Sequence, residues 1–321
     1  GQIIVPTGGG KTMCMITDAV NQFKVKDANK VLVVVAPRIL LAEQLSSEFM
    51  EVLKREYNAI SMMHVHSGKF KNIFSTTDPF CIRAFTQVSV GRQIIFTTYH
   101  SLHKIVESGI SVDTIYYDEA HNSVQRNFVE SVDYFSIHAD RCFYFTATPK
   151  HSLTPMRVGM NDSDIFGEVI YNVPAPELVE QGVILPPKVK VYKTDILQKD
   201  EITYDVECNQ IIDNIDDHNT KKILVCAKST KQIKRLITHS NFVDELAYRG
   251  YEYMYITAKT GAIINGEKVS REEFFNVLSA YGQDADRKFV VLHHSILAEG
   301  INVKGLEAVL FLRSMNYIGI S

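Results

Sequence analysis

Short apolar runs alternate with segments of helical periodicity along the first half of the chain. In the clearest run, Val31 to Ala36, β-branched residues follow one another without a polar interruption. Such a strand is typical of a parallel sheet that helices cover on both faces. Further strands are predicted at Gln2 to Val5, Ile60 to Val65, Gln93 to Thr98, Thr114 to Tyr117 and Arg141 to Thr146. With helices at Met13 to Phe23 and Leu40 to Tyr57, the pattern predicts a doubly wound α/β domain.

The pattern lapses at Asn172 to Val191, where four prolines interrupt any long element, and it resumes afterwards. We therefore predict a first domain over residues 1–171, a linker over 172–191 and a second α/β domain over 192–321. Its predicted strands are Lys222 to Ala227, Met254 to Thr257, Phe289 to His293 and Ala308 to Leu312. Its predicted helices are Glu207 to His218, Ser229 to Arg249 in one or two pieces, and Ser270 to Tyr281.

Composition narrows the class of protein only slightly. The chain has 321 residues, of which 45% are hydrophobic and 22% charged, as in ordinary globular proteins. The net charge of −3 neither supports nor excludes nucleic-acid binding, which depends on local charge. Five cysteines lie far apart without a C-x-x-C pair, which argues against a zinc site and for a reducing compartment. We expect a cytoplasmic protein, or one of an infected cell's cytoplasm, with no membrane partner and no secretion.

The segment Val5 to Thr12 reads Val-Pro-Thr-Gly-Gly-Gly-Lys-Thr and lies between a predicted strand and a predicted helix. Backbone N–H groups at such a junction converge on a phosphate, assisted by the helix dipole. The nucleotide-binding candidates are Thr7, Gly8, Gly9, Gly10, Lys11 and Thr12. Lys11 is expected to reach the β- and γ-phosphates, and the Thr12 hydroxyl to bind Mg²⁺. The alternative is a flexible glycine turn that happens to precede a lysine.

A second polar cluster, Asp118-Glu119-Ala120-His121, follows the apolar strand Thr114 to Tyr117. Splitting a triphosphate requires a carboxylate on the metal and a group that prepares the attacking water. Asp118 suits the first role and Glu119 the second. The alternative is a charged strand end that faces solvent.

In this order, the polar clusters resemble the motifs of superfamily-two helicases and nucleic-acid translocases, including the DEAH form of motif II at Asp118 to His121. The remaining resemblances are Val5 to Thr12 (motif I), Ala36 to Gln44 (Ia), Thr97 to Leu102 (Ic), Thr146 to Pro149 (III), Ile223 to Ser229 (IV) and Ser295 to Asn302 (V). The resemblance covers nearly the whole chain. It implies two RecA-like parallel-sheet domains of the P-loop NTPase class, the second of them incomplete.

The resemblance also assigns roles to particular residues. It places Lys11, Asp118, Glu119 and His121 in catalysis with ATP and Mg²⁺, and it gives Thr146 and Thr148 the coupling of hydrolysis to domain movement. It brings Gly300 and Asn302 to the nucleotide from the second domain. Asn302 stands where the family often has an aspartate, which puts its ribose contact in doubt. Nucleic-acid contacts are implied for Arg38, Gln44, Thr98 and His100.

The resulting hypothesis is an ATP-dependent helicase or translocase core. DNA is favoured, because the loop, Thr146-Ala147-Thr148-Pro149 and the Glu177 to Pro187 segment resemble restriction-enzyme-type and phage or viral members. An RNA helicase or RNA-dependent ATPase, a nucleic-acid-binding module with a vestigial ATPase, and a protein-translocating motor remain as alternatives. The sequence leaves the oligomeric state open.

Two family elements have no counterpart in the sequence: the glutamine upstream of motif I and the arginines of motif VI. We therefore expect a fragment that binds nucleotide weakly and hydrolyses it poorly, since an arginine at a phosphoryl-transfer site contributes roughly 10³–10⁵ in rate.

Overall fold

The computed structural model describes residues 1–24, 29–68, 73–154, 156–186, 188–189, 200–257, 260–294 and 305–312. These residues form two compact units. The first unit covers Gly1–Val189, and the second contains the described residues from Asp200 to Leu312.

The first unit is an α/β layer structure. Its strands are β1 (Gln2–Ile4), β2 (Lys30–Ala36), β3 (Ser61–Val65), β4 (Arg92–Thr98), β5 (Thr114–Tyr117), β6 (Arg141–Thr146) and β7 (Val169–Asn172). Its α-helices are α1 (Lys11–Phe23), α2 (Ile39–Glu56), α3 (Pro79–Val88), α4 (Leu102–Ser108), α5 (Val129–His138), α6 (Ser163–Phe166) and α7 (Ala175–Glu180). Single 3-10 turns occupy Tyr99–Ser101 and Ala120–Asn122.

All seven strands run parallel in the order β3-β4-β2-β5-β6-β1-β7. The unbroken apolar run of β2 has the predicted cause, because alternate side chains enter two separate cores. Val34 and its β2 neighbours of the same parity pack with α1 and α2, whereas Val33 and Val35 pack with α4 and α5. Because the strands of this sheet all run parallel, their carboxyl ends meet at one edge of the sheet, where α/β proteins bind their ligands.

The second unit is also α/β, but its sheet is mixed. Its strands are β8 (Lys222–Ala227), β9 (Glu252–Thr257), β10 (Gly261–Ile264), β11 (Glu267–Val269), β12 (Phe289–His293) and β13 (Ala308–Leu312). Its helices are α8 (Asp200–His218), α9 (Thr230–His239), α10 (Phe242–Tyr248) and α11 (Arg271–Gln283). The order is β11-β10-β9-β12-β8-β13, with β10 antiparallel to both β9 and β11 and the other pairs parallel.

The α/β fold predicted for the second unit is confirmed, and its parallel strands are extended by the antiparallel strands β10 and β11. The cause of this extension is local: Asn265 and Gly266 join β10 to β11 with φ of 47° and 87°. Two consecutive positive φ angles are what a tight hairpin turn requires, and Asn-Gly supplies them. The Asn-Gly dipeptide after the apolar stretch Ala262 to Ile264 was the sequence signal for this hairpin.

Elements within or near the predicted linker also pack in the first unit. The apolar strand β7 pairs with β1, and α7 buries Leu178 in the core formed by α1, α2 and β2. The helices α3, α5 and α6 were not predicted. No helix in the described part of the chain is long and apolar enough to cross a membrane.

Candidate nucleotide site

The loop between β1 and α1 has the backbone shape of an anion cradle. Gly8 and Gly10 adopt φ of 80° and 91°, a left-handed conformation that glycine adopts without strain. The loop starts at Val5, whose N–H donates to the Thr146 carbonyl at 3.0 Å. Gly10 is the N-cap of α1 and provides no side chain to satisfy the first-turn N–H groups. Those donors are therefore available to a bound anion.

A buried polar network fixes α1 against β5. Gln22 on α1 donates to the Tyr116 hydroxyl at 2.9 Å and accepts from the Thr114 hydroxyl at 2.7 Å. The Tyr116 hydroxyl in turn donates to Asp18 Oδ2 at 2.6 Å. Because α1 begins at Lys11 and β5 leads directly into the acidic pair, this network sets the spacing between the lysine and the carboxylates.

Lys11 and Glu119 face each other across that spacing. The Lys11 Nζ lies 3.6 Å from Glu119 Oε1 and 3.4 Å from the Val5 carbonyl oxygen. The lysine side chain is only 10% exposed and that of Glu119 21%. The structure thus brings together the phosphate loop and the acidic pair, which are over a hundred residues apart in sequence.

Asp118 is held in a buried position at the carboxyl end of β5. Its N–H donates to the Val35 carbonyl at 2.9 Å, and its own carbonyl accepts from the Tyr99 hydroxyl at 2.9 Å. Burial, followed by the charge of neighbouring Glu119, raises the pKa of Asp118 to about 7, while Lys11 opposes the increase. A carboxylate in this environment is stabilised by a nearby cation.

Glu119 is one of the described non-glycine residues with a positive φ, at 46°. A left-handed backbone at a residue with a Cβ costs free energy, and here the fold imposes it as β5 turns into a 3-10 helix. The Asn122 side-chain amide donates to the Glu119 carbonyl at 3.0 Å. The turn directs the carboxylate back toward Lys11.

His121 connects the acidic cluster to the strand end of β6. Its Nδ1 lies 3.1 Å from the Thr146 hydroxyl and 3.5 Å from Glu119 Oε2. The Thr146 hydroxyl accepts from the Thr148 N–H at 3.1 Å, and Thr146 is fully buried. Both threonines assigned to coupling, together with the histidine, therefore form one chain of contacts that starts at Glu119.

These residues fit a triphosphate with a divalent cation. The start of α1 has N–H donors that no side chain caps, and Lys11 supplies a partly buried positive charge. Burial raises the pKa of Asp118, so a nearby cation would stabilise its carboxylate. Thr12 follows Lys11 in the first turn of α1. No group of three His, Cys, Asp or Glu suited to a metal occurs among the described residues.

The nucleic-acid candidates lie in the first unit at the carboxyl edge of β2 and β4. Ala36 and Thr98 are paired in register, so Arg38 and His100 follow neighbouring strand ends. Thr98 is buried, whereas His100 is exposed, with its ring 4.7 Å from that of Phe128. Gln44 is further along α2 and donates to Glu48 Oε1 at 2.9 Å. Gly300 and Asn302 lie outside the described residues.

Three residues at the site were not predicted. Tyr99 supports the Asp118 backbone, and Leu178 and Ile184 pack against the phosphate loop. The apolar positions of the Ala175–Glu180 helix signalled a buried face, but nothing in the sequence indicated what that face covers.

Residues 1–151 match the family described as "Type III restriction enzyme, res subunit". A comparison with curated proteins yields no match.

Solved structures with the same fold cover nearly all of the chain. The ATP-dependent Type ISP restriction-modification enzyme LlaBIII bound to DNA matches with a TM-score of 0.66 and 18% identity, over 98% of this chain and 24% of that one. Mss116p bound to ssRNA and AMP-PNP matches at 0.60 and 14%, over 98% and 60%. The helicase domain of Hef from Pyrococcus furiosus matches at 0.51 and 14%, over 98% and 86%. The chain thus spans about a quarter of the length of LlaBIII, and the likeness establishes the RecA-like fold of its units.

Proposed function

We propose that this chain is the motor core of an ATP-dependent nucleic-acid helicase or translocase of superfamily two. Support comes from the family match over residues 1–151 and from the fold shared with LlaBIII and Mss116p. The observation that carries the proposal is the approach of Lys11 Nζ to Glu119 Oε1 at 3.6 Å, beside an uncapped helix start. The loop N–H groups and Lys11 hold the phosphates of ATP, and Thr12 and Asp118 hold Mg²⁺. When bound, Mg²⁺ neutralises charge on the transferred phosphoryl group.

Within this proposal Glu119 orients the attacking water and accepts its proton. Its carboxylate is suited to that role because one oxygen faces Lys11 and the other faces His121 at 3.5 Å. His121 then passes a change at the carboxylate to Thr146, through the 3.1 Å contact of its Nδ1. The coupling of hydrolysis to movement would begin with this contact.

We propose DNA as the nucleic acid. Support comes from the restriction-enzyme family match over residues 1–151 and from the DNA-bound LlaBIII structure, with its TM-score of 0.66. RNA is the second candidate, because Mss116p, solved with ssRNA, shares the fold at a TM-score of 0.60. Arg38 and His100 are the proposed contacts to the phosphate backbone, which a motor can hold without reading base sequence.

The reaction can be tested in single-turnover experiments with the chain in excess over labelled ATP, where slow hydrolysis is still measurable. Removing a general base lowers the rate by roughly 10²–10⁴. We expect Glu119→Gln to abolish measurable phosphate release while binding of a fluorescent ATP analogue persists. Glu107→Gln, an exposed surface change, serves as the matched control. Equal hydrolysis by the Glu119→Gln variant would refute the assigned role.

The nucleic acid can be identified by adding single-stranded DNA, duplex DNA or RNA to the same assay. Stimulation by DNA beyond that by RNA supports the proposal, and the reverse supports an RNA-dependent ATPase. If ATP binds but no turnover occurs in the unaltered chain with any nucleic acid, the vestigial binding module is favoured. The preserved contact between Lys11 and Glu119 argues against that module.

A further inference from the structure

The segment 173–184 follows β7 along the chain and packs beside the phosphate loop. It begins at Val173, whose N–H donates to the Ile4 carbonyl at 3.0 Å. It continues as α7, which buries Leu178 to 7% exposure in the same apolar cluster as Val5 and the buried face of α1. Ile184 packs against that cluster from the end of the segment. The segment therefore lies next to the residues that enter the phosphate loop.

Leu178 and Ile184 occupy the space that a side chain on the loop glycines would need. A Cβ built on Gly9 would lie 2.7 Å from Leu178 Cδ1 and 2.6 Å from Val5 Cγ1. A Cβ on Gly8 would lie 3.3 Å from Ile184 Cγ2. At Gly9 the backbone is thus packed so closely that no side chain fits, and Leu178 is one of the residues that fill this space.

The two apolar side chains belong to one rigid turn. The N–H groups of Val183 and Ile184 both donate to the Leu178 carbonyl, at 2.9 Å and 3.3 Å. Gly182 permits the turn with a φ of 69°. These bonds tie the backbone of residue 184 to that of residue 178, so one turn of the chain carries both side chains.

We propose that Leu178 and Ile184 are positioning residues that hold Gly8 and Gly9 in the anion-binding conformation. Nucleotide binding at the loop and packing of the segment 173–184 are then coupled, each favouring the other by the same factor. The coupling rests on the proposed function, since it requires that the loop bind a nucleotide. Along the chain the segment 173–184 precedes the second unit, whose described residues begin at Asp200.

The first experiment measures binding of a fluorescent ATP analogue to the 321-residue chain. We expect Leu178→Ala to weaken binding on the order of tenfold, because the loop must be ordered at the expense of binding energy. Leu185→Ala is the matched control, since Leu185 directly follows the segment and is 89% exposed. It should bind as the unaltered chain does. Leu178→Met, which refills the space, should restore most of the affinity.

A second measurement separates positioning from general stability. Without nucleotide, Leu178→Ala should speed hydrogen exchange at the Gly9 amide, which donates to the Pro6 carbonyl at 3.0 Å, while the amides of β2 keep their protection. With nucleotide, the unaltered chain should show slower exchange at the Val183 and Ile184 amides. Lys11→Met should remove that response, because the signal originates at the phosphate.

Two results would overturn the inference: exchange that rises equally in the loop and in β2, or nucleotide that binds without slowing exchange at Val183 and Ile184. If Leu178→Ala does not fold, Ile184→Val provides the same test with a smaller truncation. A chain that binds no nucleotide at all refutes the proposed function and the coupling. The nucleotide-free exchange measurement still decides whether Leu178 positions the loop.

Discussion

The strand-to-helix junctions of the two units solve the same problem in opposite ways. Both β1 and β8 lead within a few residues into a helix whose first N–H groups need partners. In the second unit Ser229 caps α9, its hydroxyl accepting from the Gln232 N–H at 3.2 Å. The Gln232 side chain returns the contact by accepting from the Lys228 N–H. In the first unit Gly10 begins α1 with no side-chain cap.

The presence or absence of a side-chain cap decides whether the first N–H groups of the helix can bind a ligand. Donors satisfied by serine and glutamine contribute to stability and leave nothing for a ligand. Donors left open by glycine become useful only if an anion occupies them. A lysine lies near each junction, but Lys228 is exposed whereas the Lys11 side chain is only 10% exposed and faces Glu119. The comparison therefore predicts that nucleotide binding depends on the first junction alone.

The largest effect is expected from removing the lysine of the first junction. Lys11→Met should weaken ATP binding roughly 10- to 100-fold, the usual contribution of a hydrogen bond to a charged group. Lys228→Met, the equivalent change at the second junction, should leave binding unchanged. Titration with a fluorescent ATP analogue measures both. Comparable losses in the two variants would show that the junctions do not differ as described.

Giving α1 the cap residue of α9 should also impair binding. Gly10→Ser forces a left-handed backbone onto a residue with a side chain, at a cost of about 1–2 kcal/mol, and it disturbs the anion cradle. Gly91→Ser is matched for backbone strain, because its φ of 92° equals the 91° of Gly10 closely and neither position has an atom within 4 Å of an added Cβ. Both variants should lose similar stability in urea unfolding. Only Gly10→Ser should lose nucleotide affinity, by about tenfold or more.

The acidic side of the first junction predicts a pH dependence. With the pKa of Asp118 at about 7, the ionised fraction rises about tenfold between pH 6 and pH 8. Since Mg²⁺ needs the carboxylate, Mg²⁺-dependent nucleotide affinity should rise by about that factor over the same range. Calorimetric titration at the two pH values measures it, and Asp118→Asn should abolish the slope.

The same raised pKa makes a prediction for the ligand-free chain. The folded state holds the Asp118 proton more tightly than the unfolded state does, so this group adds stability as the pH falls from 8 toward 4. Asp118→Asn should flatten that part of the profile of unfolding free energy against pH. A profile unchanged by the substitution would contradict the raised pKa.

The smallest effect is expected at the second junction, where Ser229 caps α9. Ser229→Ala removes the cap of α9 and should cost about 1 kcal/mol of unfolding free energy, without any change in nucleotide affinity. Ser229→Asp keeps a capping oxygen and should retain most of the stability. Urea unfolding followed by circular dichroism measures both. A loss of nucleotide affinity in Ser229→Ala would contradict the division of roles between the junctions.

Strand positions in both units could be predicted because the apolar runs are long and continuous. The strands Thr114–Tyr117, Arg141–Thr146, Lys222–Ala227 and Phe289–His293 occur at the predicted bounds. The N-cap of α11 was also readable, since the Ser270 hydroxyl accepts from the Glu273 N–H as the Ser-x-x-Glu pattern indicates. Helix α3 was missed although Asp78 and Pro79 mark its start. The β10–β11 hairpin was not predicted, although Asn265 and Gly266 are typical of a tight hairpin turn.

The sequence alone determined two local residue patterns: a glycine loop ending in Lys11 and Thr12, and an acidic pair after an apolar strand. These are local patterns, in which neighbouring residues carry the whole signal. Only the tertiary structure decided how they meet, because the Lys11–Glu119 contact depends on sheet order and on the network around Tyr116. It also decided that Leu178 lies against Gly9. The two residues are far apart along the chain, and no pattern in the sequence indicates that they pack together.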